Sequence, residues 1–308
     1  MKVIKPVNNA AVKRIFELQG WETEHNFYHY MNTGVSHESC FFPVFEGKYG
    51  IMAFENKGVM WCYTDSLAPK NKALKFFMEF LEWAFEQGAK KVRAEIREEL
   101  WKAVVKNVKT GGYRAIKPSY VYSWPVYDLK AWDPNLSGAA FKKLRNIRNR
   151  FQQNYKINIL GREETSKNDI LRVFKRWEER RKGDDKTHME CYKAPVKNGF
   201  VGYDSVRLIE IDGRICAING GWKIPNSNIF YSQLGLHDYS MPNLGDFCYI
   251  EDLTFLKESG YEFANFGGST PAMMVFKNKF FPAYVYKTIE FSIVKKKRQV
   301  VYWTNFFV

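Results

Sequence analysis

Two separated groups of cationic side chains carry the strongest chemical signal in the sequence. Residues 143–150, KLRNIRNR, place four cations and two amides within about two helical turns. Far downstream, the glycine turn NFGGS at 265–269 leads into FKNKF at 276–280. Guanidinium and ammonium groups beside a glycine turn are suited to holding a phosphorylated molecule. Either run alone is equally typical of a solvated basic surface, and the two together favour a functional site.

The composition indicates a large core and a strong positive field. The chain has 308 residues, of which 45% are hydrophobic and 17% aromatic, enough for one large or two ordinary domains. The formal net charge of +14 at pH 7 attracts polyanions and speeds their encounter with the protein. Nucleotide cofactors, tRNA, DNA and anionic lipid headgroups are all compatible with this charge.

Cysteine spacing and hydropathy argue against several classes of protein. The 5 cysteines are scattered, without a C-x-x-C pair or a cluster with histidine, which argues against a zinc site and a disulfide framework. We expect buried thiols in a reducing compartment. The first residues lack the apolar core of a signal peptide, and no window approaches the roughly 18 apolar residues of a membrane span. These features predict a cytoplasmic protein.

The first half of the chain is predicted to be an α/β module that follows an opening helix at 8–19. Its hairpin signals lie at 46–48 and 56–58, and its long helix ends at Gly88. The predicted elements are strands at 39–46, 49–55 and 59–64, a helix at 71–87, a strand at 91–96, a helix at 98–106 and extended segments at 113–129.

The second half repeats this order of elements with different residues. Its predicted elements are helices at 138–155, 167–181, 245–259 and 271–279, strands at 156–160, 205–211, 214–222, 228–236 and 261–266, and a closing hairpin at 284–303. The segment DPNLSG at 133–138 is the best candidate for a linker. The repeated order predicts two tandem modules, 1–132 and 133–308.

This module resembles the N-acetyltransferase (GNAT) fold, a mixed, mostly antiparallel sheet flanked by helices. Two copies in one chain resemble the Fem-type aminoacyltransferases and, more closely, the C-terminal catalytic region of bacterial phosphatidylglycerol lysyltransferases and its stand-alone relatives. The resemblance is carried by KLRN at 143–146, FKRW at 174–177, NFGG at 265–268 and F-K-x-x-F at 276–280. Topology alone carries it in the first half. The resemblance implies transfer of an acyl or aminoacyl group from an activated donor to an amine or hydroxyl.

The sequence departs from acetyl-CoA enzymes where those enzymes hold the donor's pyrophosphate. They carry a Gln or Arg and a glycine pattern before the long helix, whose N–H groups bind the pyrophosphate. Here the segment LHDYSMPNLGD at 236–246 has one glycine and no Lys or Arg, and 64–71 lacks the pattern too. Fem-type enzymes also lack it, because their donor is aminoacyl-tRNA. The co-substrate is therefore an aminoacyl-tRNA or an acyl-CoA bound through lysines, and we expect no tightly bound cofactor.

Acyl transfer sets three requirements for the residues of a site. A group must take a proton from the nucleophile, donors must face the developing oxyanion, and the phosphorylated carrier must be held. Arg145 and Arg148 share one helix face, and guanidinium groups match the geometry of phosphate. The residues predicted to hold the donor are Lys143, Arg145, Asn146, Arg148, Gly267, Gly268 and Lys279.

The catalytic candidates all lie in the second half. Lys277 matches the lysine of the family's Phe-Lys helix, and the resemblance implies that it polarises the scissile carbonyl. Asp246, at the start of the long helix, is the candidate base, and Tyr231 is a candidate general acid. The alternatives are surface charge for Lys277 and a favourable position in the helix dipole for Asp246.

Three further residues are predicted to line a substrate cleft, namely Asn219, Gln233 and Trp177. The first two lie on predicted central strands, where a buried amide needs a hydrogen-bond partner. A satisfied structural role is therefore the alternative for both amides, and core packing is the alternative for the tryptophan.

Two classes of function fit the sequence. The first is an acyl- or aminoacyltransferase with its active site in 133–308 and a degenerate first module that shapes the cleft. Its acceptor is a small molecule, a peptide or a lipid. The second is a non-catalytic basic module that binds RNA or an anionic surface. The sequence gives no indication of the oligomeric state.

Overall fold

A computed structural model describes residues 1–5, 8–33, 39–180 and 189–296. The strands of these ranges form one 14-stranded sheet in the order β1-β2-β4-β5-β6-β14-β8-β13-β12-β11-β10-β9, with β3 beside β2 and β7 beside β14. The strands are β1 Lys2–Ile4, β2 Cys40–Phe45, β3 Tyr49–Gly50, β4 Ala53–Asn56, β5 Val59–Tyr63, β6 Lys91–Arg97, β7 Tyr113–Ala115, β8 Tyr120–Asp128, β9 Ile157–Gly161, β10 Ser205–Ile211, β11 Arg214–Lys223, β12 Ile229–His237, β13 Phe263–Asn265 and β14 Tyr284–Lys295.

Helices cover both faces of the sheet in each half. α3 and α4 pack on one face of the first half and α1 and α2 on the other, while α6 and α7 lie opposite α5 and α8 in the second half. The helices are α1 Ala10–Gln19, α2 Phe27–Thr33, α3 Lys70–Glu86, α4 Glu98–Thr110, α5 Lys142–Asn154, α6 Lys167–Arg180, α7 Met189–Lys197, α8 Leu244–Glu258 and α9 Pro271–Lys277. A mixed sheet between helices confirms the predicted α/β class.

Each half contains one parallel strand pair joined by a long helix. β5 and β6 flank α3, and β12 and β13 flank α8. The long helices end before Gly88 and Gly260, whose φ angles of 84° and 83° favour glycine. α3 buries a stripe of seven residues that includes Phe76, Phe77 and Phe80, because apolar residues three and four apart share one helix face.

The closing strands of the two halves are exchanged. β14, from the second half, pairs with β6 of the first half, and β8, from the first half, pairs with β13 of the second. β8 and β14 also pair with each other over seven residue positions, from Tyr284–Val126 to Glu290–Tyr120. As a result, Phe291 and Ile293 belong to the core of the first half. The predicted boundary between 132 and 133 stays a prediction.

The structure corrects several element predictions. α2 and α7 were not predicted, and the strand at 49–55 divides into β3 and β4 around the buried Ile51 and Met52. The prediction of a hairpin at 284–303 is wrong for residues 284–295, which form the single strand β14. The predicted second arm lies outside the described residues. The four described cysteine side chains, Cys40, Cys62, Cys216 and Cys248, are buried and unpaired. Within the described ranges, no helix is long and apolar enough to span a bilayer.

The exchange makes the stability of the first half depend on β14. Phe291→Ala removes a side chain with 0% exposure, and we expect it to lower the free energy of unfolding by about 3–5 kcal/mol. Val275→Ala, at a position that is 73% exposed, should change it by no more than about 0.5 kcal/mol. Urea unfolding measures both, and a loss below about 1 kcal/mol for Phe291→Ala would contradict the pairing.

Candidate active site

An acidic cavity of about 20 Å³ lies where the first parallel strand pair meets β8 and β14, with room for about one water-sized group. It was not predicted from the sequence. Its walls come from the segment between α1 and α2, from the ends of β5 and β6, and from the exchanged strands. The lining residues are Glu22, Thr23, Glu24, Thr64, Asp65, Glu95, Arg97, Trp124, Tyr286 and Thr288.

The segment that carries Glu22 and Glu24 is held by hydrogen bonds to both halves. The backbone N–H groups of Trp21 and Glu22 donate to His25 Nδ1 at 3.0 and 3.2 Å, and His25 Nε2 lies 3.0 Å from the Asp65 carbonyl oxygen. Burial lowers the pKa of His25 to about 3, so the ring is neutral and Nε2 is the donor. From the second half, Trp222 Nε1 donates to the Thr23 carbonyl at 2.9 Å.

Arg97 binds two of the four cavity carboxyl groups, one through its guanidinium and the other through its backbone N–H. Its guanidinium pairs with both oxygens of Glu22, and its backbone N–H donates to Asp65 Oδ1 at 2.9 Å. The guanidinium also lies 3.9 Å from the ring centroid of Tyr286. Burial outweighs this cation and raises the pKa of Glu22 to about 7 and that of Asp65 to about 6.

Glu95 and Glu24 have no ion-pair partner within the described ranges. Trp124 Nε1 donates to Thr288 Oγ1 at 2.8 Å, and Thr288 Oγ1 donates to Glu95 Oε1 at 2.6 Å. Burial raises the pKa of Glu95 to about 7. Burial also raises the pKa of Glu24 to about 8, with further contributions from the charges of Glu95 and Glu22. The cavity therefore contains more carboxyl groups than its single guanidinium can neutralise.

The predicted glycine turn forms the wall behind Trp124. A Cβ atom on Gly268 would lie 3.0 Å from the Trp124 ring, and one on Gly267, where φ is 83°, would lie 3.9 Å from the hydroxyl of Tyr231. Tyr231 is buried, and its ring centroid lies 6.2 Å from that of Trp124. The structure thus brings Tyr231, Gly267 and Gly268 together beside the cavity.

Lys277 holds this turn from its far side. The side chain is 4% exposed, and Nζ donates to the carbonyl oxygens of Phe266 and Gly267 at 2.5 and 3.0 Å. Burial lowers the pKa of Lys277 to about 7, and no carboxylate in the described part of the chain pairs with it. The surface-charge alternative for Lys277 is wrong, and its predicted action on a scissile carbonyl stays a prediction.

The basic helix and the lysine segment pack against the same helix, α8. Phe151 of α5 stacks on Phe247 at 4.8 Å, and Lys279 pairs with Asp246 in the first turn of α8 at 2.8 Å. The ring of Phe141, just before α5, packs edge-on against that of Phe281, with the ring centroids 5.4 Å apart. The two runs predicted from the sequence are therefore neighbours in the fold.

Most of the other predicted residues already have protein partners. Arg145 donates to the carbonyls of Leu136 and Gly138, and Arg148 donates to those of Pro134 and Asn135, so both arginines anchor the segment 133–138. Lys143 and Asn146 are exposed. The three cleft candidates bind protein groups: Asn219 the Cys248 carbonyl, Gln233 the Tyr203 hydroxyl and Trp177 the Tyr239 hydroxyl.

The starts of the two long helices differ: protein groups fill the start of α8, whereas residues 69–71 at the start of α3 are exposed and only the loop before them is buried. At α8, a Cβ atom on Gly245 would lie 2.8 Å from the His237 ring, and the buried Asp246 carboxylate lies in the first turn. Before α3, Leu67 is buried, and its backbone exchanges two hydrogen bonds with Gly50 at 2.8 and 3.3 Å. These are the places where acetyl-CoA enzymes hold pyrophosphate.

One sequence signal for the missed cavity was present in β6. The core of the first half contains Val92, Ala94 and Ile96, whereas the alternate residues Arg93 and Glu95 face the other side of the sheet. A strand with an apolar core on one face and charges on the other points to a polar site if that second face is covered. The sequence does not reveal this cover, which comes from the exchanged strands and the segment before α2.

Comparisons with known proteins agree on one fold. The structure of L-PGS from Bacillus licheniformis is 18% identical, covers 91% of this chain and 89% of its own, and superposes with a TM-score of 0.63. FemX is 11% identical, with coverage of 95% and 97% and a TM-score of 0.61. A tandem GNAT protein from the clavulanic acid biosynthesis pathway is 10% identical, with coverage of 83% and 82% and a TM-score of 0.50. The predicted GNAT-like fold is confirmed.

The family assignment rests on the sequence as a whole. No curated protein sequence matches the chain. The family model described as "Phosphatidylglycerol lysyltransferase, C-terminal" matches residues 24–295, which include both halves and every residue of the acidic cavity except Glu22 and Thr23. The chain therefore belongs to the phosphatidylglycerol lysyltransferase C-terminal family and is a transferase with a GNAT-like fold.

Proposed function

We propose that this protein transfers an aminoacyl group from aminoacyl-tRNA to a hydroxyl or amine acceptor, with the acidic cavity as the site of the aminoacyl end. The observation that carries the proposal is the filling of the start of α8, which would otherwise bind the pyrophosphate of CoA in the half that contains the predicted catalytic residues. The acidic cavity and the family's description as lysyltransferases support the same donor.

The geometry at α8 disfavours CoA in the second half. A pyrophosphate at a helix N-terminus needs free backbone N–H groups and a positive local field. Here the His237 ring lies against Gly245, and the carboxylate of Asp246 occupies the first turn, where it pairs with Lys279. A second anion would face repulsion from this carboxylate as well as the steric block.

The first half disfavours CoA for a different reason. Leu67 and Ala68, which precede α3, are buried, and Leu67 is tied to Gly50 by two backbone hydrogen bonds. The indole of Trp21 donates to the Ser66 carbonyl at 3.2 Å and lies over the same segment. The loop before α3 would have to leave the core to fold around a phosphate group, although residues 69–71 at the helix start itself are exposed.

The cavity suits the free amino group that an aminoacyl ester carries and a simple acyl thioester lacks. An ammonium group has about the size of one water molecule, which matches the room available. The carboxyl group of Glu24 lies on its wall, and the Trp124 and Tyr286 rings stack in parallel with their centroids 5.8 Å apart. Carboxylates and aromatic faces both stabilise a desolvated cation.

The exposed residues of α5 are the proposed contacts for the tRNA backbone. Arg145 and Arg148 are committed to the segment 133–138, which leaves Lys143, Asn146 and Arg150 on the accessible side of α5. Contacts of this kind supply most of the affinity for nucleic acid and weaken as salt increases.

The first acceptor to test is phosphatidylglycerol, which the family's description names. Its glycerol headgroup offers a hydroxyl nucleophile, and its phosphate suits a chain with a net charge of +14. An amine acceptor would use the same site with an amide as the product.

The donor prediction is tested with a pool of tRNA charged with radiolabelled amino acids. We expect label to move from tRNA to phosphatidylglycerol in vesicles, or to glycylglycine supplied as a soluble amine. Acetyl-CoA and lysyl-CoA should give no transfer and no increase in melting temperature, since the start of α8 is filled and the loop before α3 is held in the core. Transfer from a CoA thioester, with none from charged tRNA, would refute the proposal.

The tRNA contacts are tested by the salt dependence of binding. For Lys143→Ala/Arg150→Ala, the slope of log affinity against log salt concentration should fall by about 2, or about 1 for each lost phosphate contact. Lys90→Ala, an exposed lysine in the turn after α3, is the matched control and should change the slope by less than about 0.5. Equal slopes for all three proteins would place the tRNA elsewhere.

Lys277 gives a pH-dependent test of the turn beside the cavity. Its pKa falls from 10.5 to about 7 on folding, so the unfolded chain binds more protons between these pH values. The free energy of unfolding of the wild type, minus that of Lys277→Met, should therefore rise by about 1.4 kcal/mol per pH unit above pH 7. Urea unfolding at pH 7 and pH 9 measures this difference, with Lys287→Met as the exposed-lysine control. A pH-independent difference would show that Lys277 is not held in a desolvated site.

A further inference from the structure

We propose that Glu95 is the catalytic residue that accepts the proton of the attacking nucleophile, and that Thr288 and Trp124 are its positioning residues. The inference rests on the proposed aminoacyl transfer. It adds a catalytic residue from the first half, whereas the catalytic residues predicted from the sequence all lie in the second half.

Existing contacts separate Glu95 from three nearby carboxyl groups. Glu22 is paired with the guanidinium of Arg97, and Asp65 accepts a hydrogen bond from the Arg97 backbone N–H. Glu290, directly across the strand pair from Glu95, is bound by Arg93 with Nε–Oε1 at 2.9 Å. A carboxylate held in an ion pair is a weak proton acceptor, because proton transfer would sacrifice the pair.

Hydrogen bonding then distinguishes Glu95 from Glu24. Thr288 donates to one oxygen of Glu95 at 2.6 Å and is itself fixed by the Trp124 indole at 2.8 Å. Glu24 lines the same cavity but lacks an equivalent donor within the described ranges. A general base must be held in one orientation to meet the proton that it removes, and only Glu95 has this support from two other strands.

Thr288 and Trp124 also connect this carboxyl to the second half. Trp124 separates the cavity from the Gly267-Gly268 turn and contacts Gly268. Both positioning residues lie on the exchanged strands β8 and β14. The carboxylate is therefore oriented by the contact that joins the two halves, and an ester whose amino group occupies the cavity would lie beside it.

The proton balance needs no further reactant. The oxygen or nitrogen of the acceptor forms a bond to the carbonyl carbon of the aminoacyl ester, and its proton passes to the Glu95 carboxylate. The bond between that carbon and the ribose oxygen then breaks, and Glu95 returns the proton to the departing oxygen. The enzyme ends in its starting protonation state.

Several charged and titratable groups face Glu95 and set the pH at which it can act. Burial raises the pKa of Glu95 to about 7, and the hydrogen bond from Thr288 opposes this rise. The neighbouring groups on the packed elements are Glu22 and Glu24 before α2, Asp65 after β5, Arg93 and Arg97 on β6, Tyr122 on β8, and Tyr286 and Glu290 on β14.

The test compares Glu95→Gln with wild type in the transfer of label from charged tRNA to phosphatidylglycerol vesicles or to glycylglycine. Glutamine keeps an oxygen that can accept from Thr288, so we expect the fold and the KM for tRNA to be preserved. The kcat should fall by about 10²- to 10⁴-fold, and the acid limb of the pH–rate profile should disappear. The matched control is Glu290→Gln, which should keep kcat within about threefold and retain the limb.

Thr288→Val tests the positioning role and covers the case in which Glu95→Gln does not fold. Loss of the hydroxyl should reduce kcat about tenfold and move the acid limb to higher pH, because the bond that favours the carboxylate is gone. An unchanged kcat and limb in Glu95→Gln, or an unmoved limb in an active Thr288→Val, would overturn the inference while leaving aminoacyl transfer intact. Absence of transfer by wild type would overturn the proposed function and this inference with it.

Discussion

The antiparallel pairing of β8 with β14 is the contact on which the rest of the structure depends. Each strand completes the part of the sheet that belongs to the opposite half. The core of the first half therefore contains Phe291 and Ile293 of β14, and β8 pairs with β13 of the second half. The same two strands carry Trp124 and Thr288, which form a wall of the acidic cavity. Core formation and site formation therefore depend on one backbone ladder, and neither half alone contains all the groups of the site.

The electrostatics of the cavity follow from an imbalance between burial and charge. Removing a carboxyl group from water disfavours its ionised form, and a nearby guanidinium restores part of the lost stability. Arg97 does this in part for Glu22 and Asp65, whose pKa values still rise to about 7 and about 6, and burial raises those of Glu24 and Glu95 to about 8 and about 7. A cation that enters the cavity would lower the free energy of these ionised groups. The site is thus arranged for a positively charged group on one of its substrates.

The two long helices show how one fold can be adapted to different donors. A helix N-terminus attracts an anion through its free N–H groups, but here the protein supplies its own groups at the start of α8. Asp246 and the His237 ring occupy the start of α8, and backbone hydrogen bonds between Leu67 and Gly50 hold the loop before α3 in the core. The fold sets the positions of the helices, and the side chains at their ends decide which donor is accommodated.

The sequence by itself determined the local elements, because hydrophobic periodicity and glycine stops act over short distances. It predicted α3, β10, α8 and the neighbouring runs on α5 and around Lys277, together with the GNAT-like fold. Tertiary structure decided which polar side chains meet. Glu22, Glu95 and Thr288 lie far apart in the chain, and only the strand exchange places them around one cavity. The same packing committed Arg145 and Arg148 to backbone carbonyls, a choice that their spacing along the helix could not reveal, since it is equally suited to phosphate.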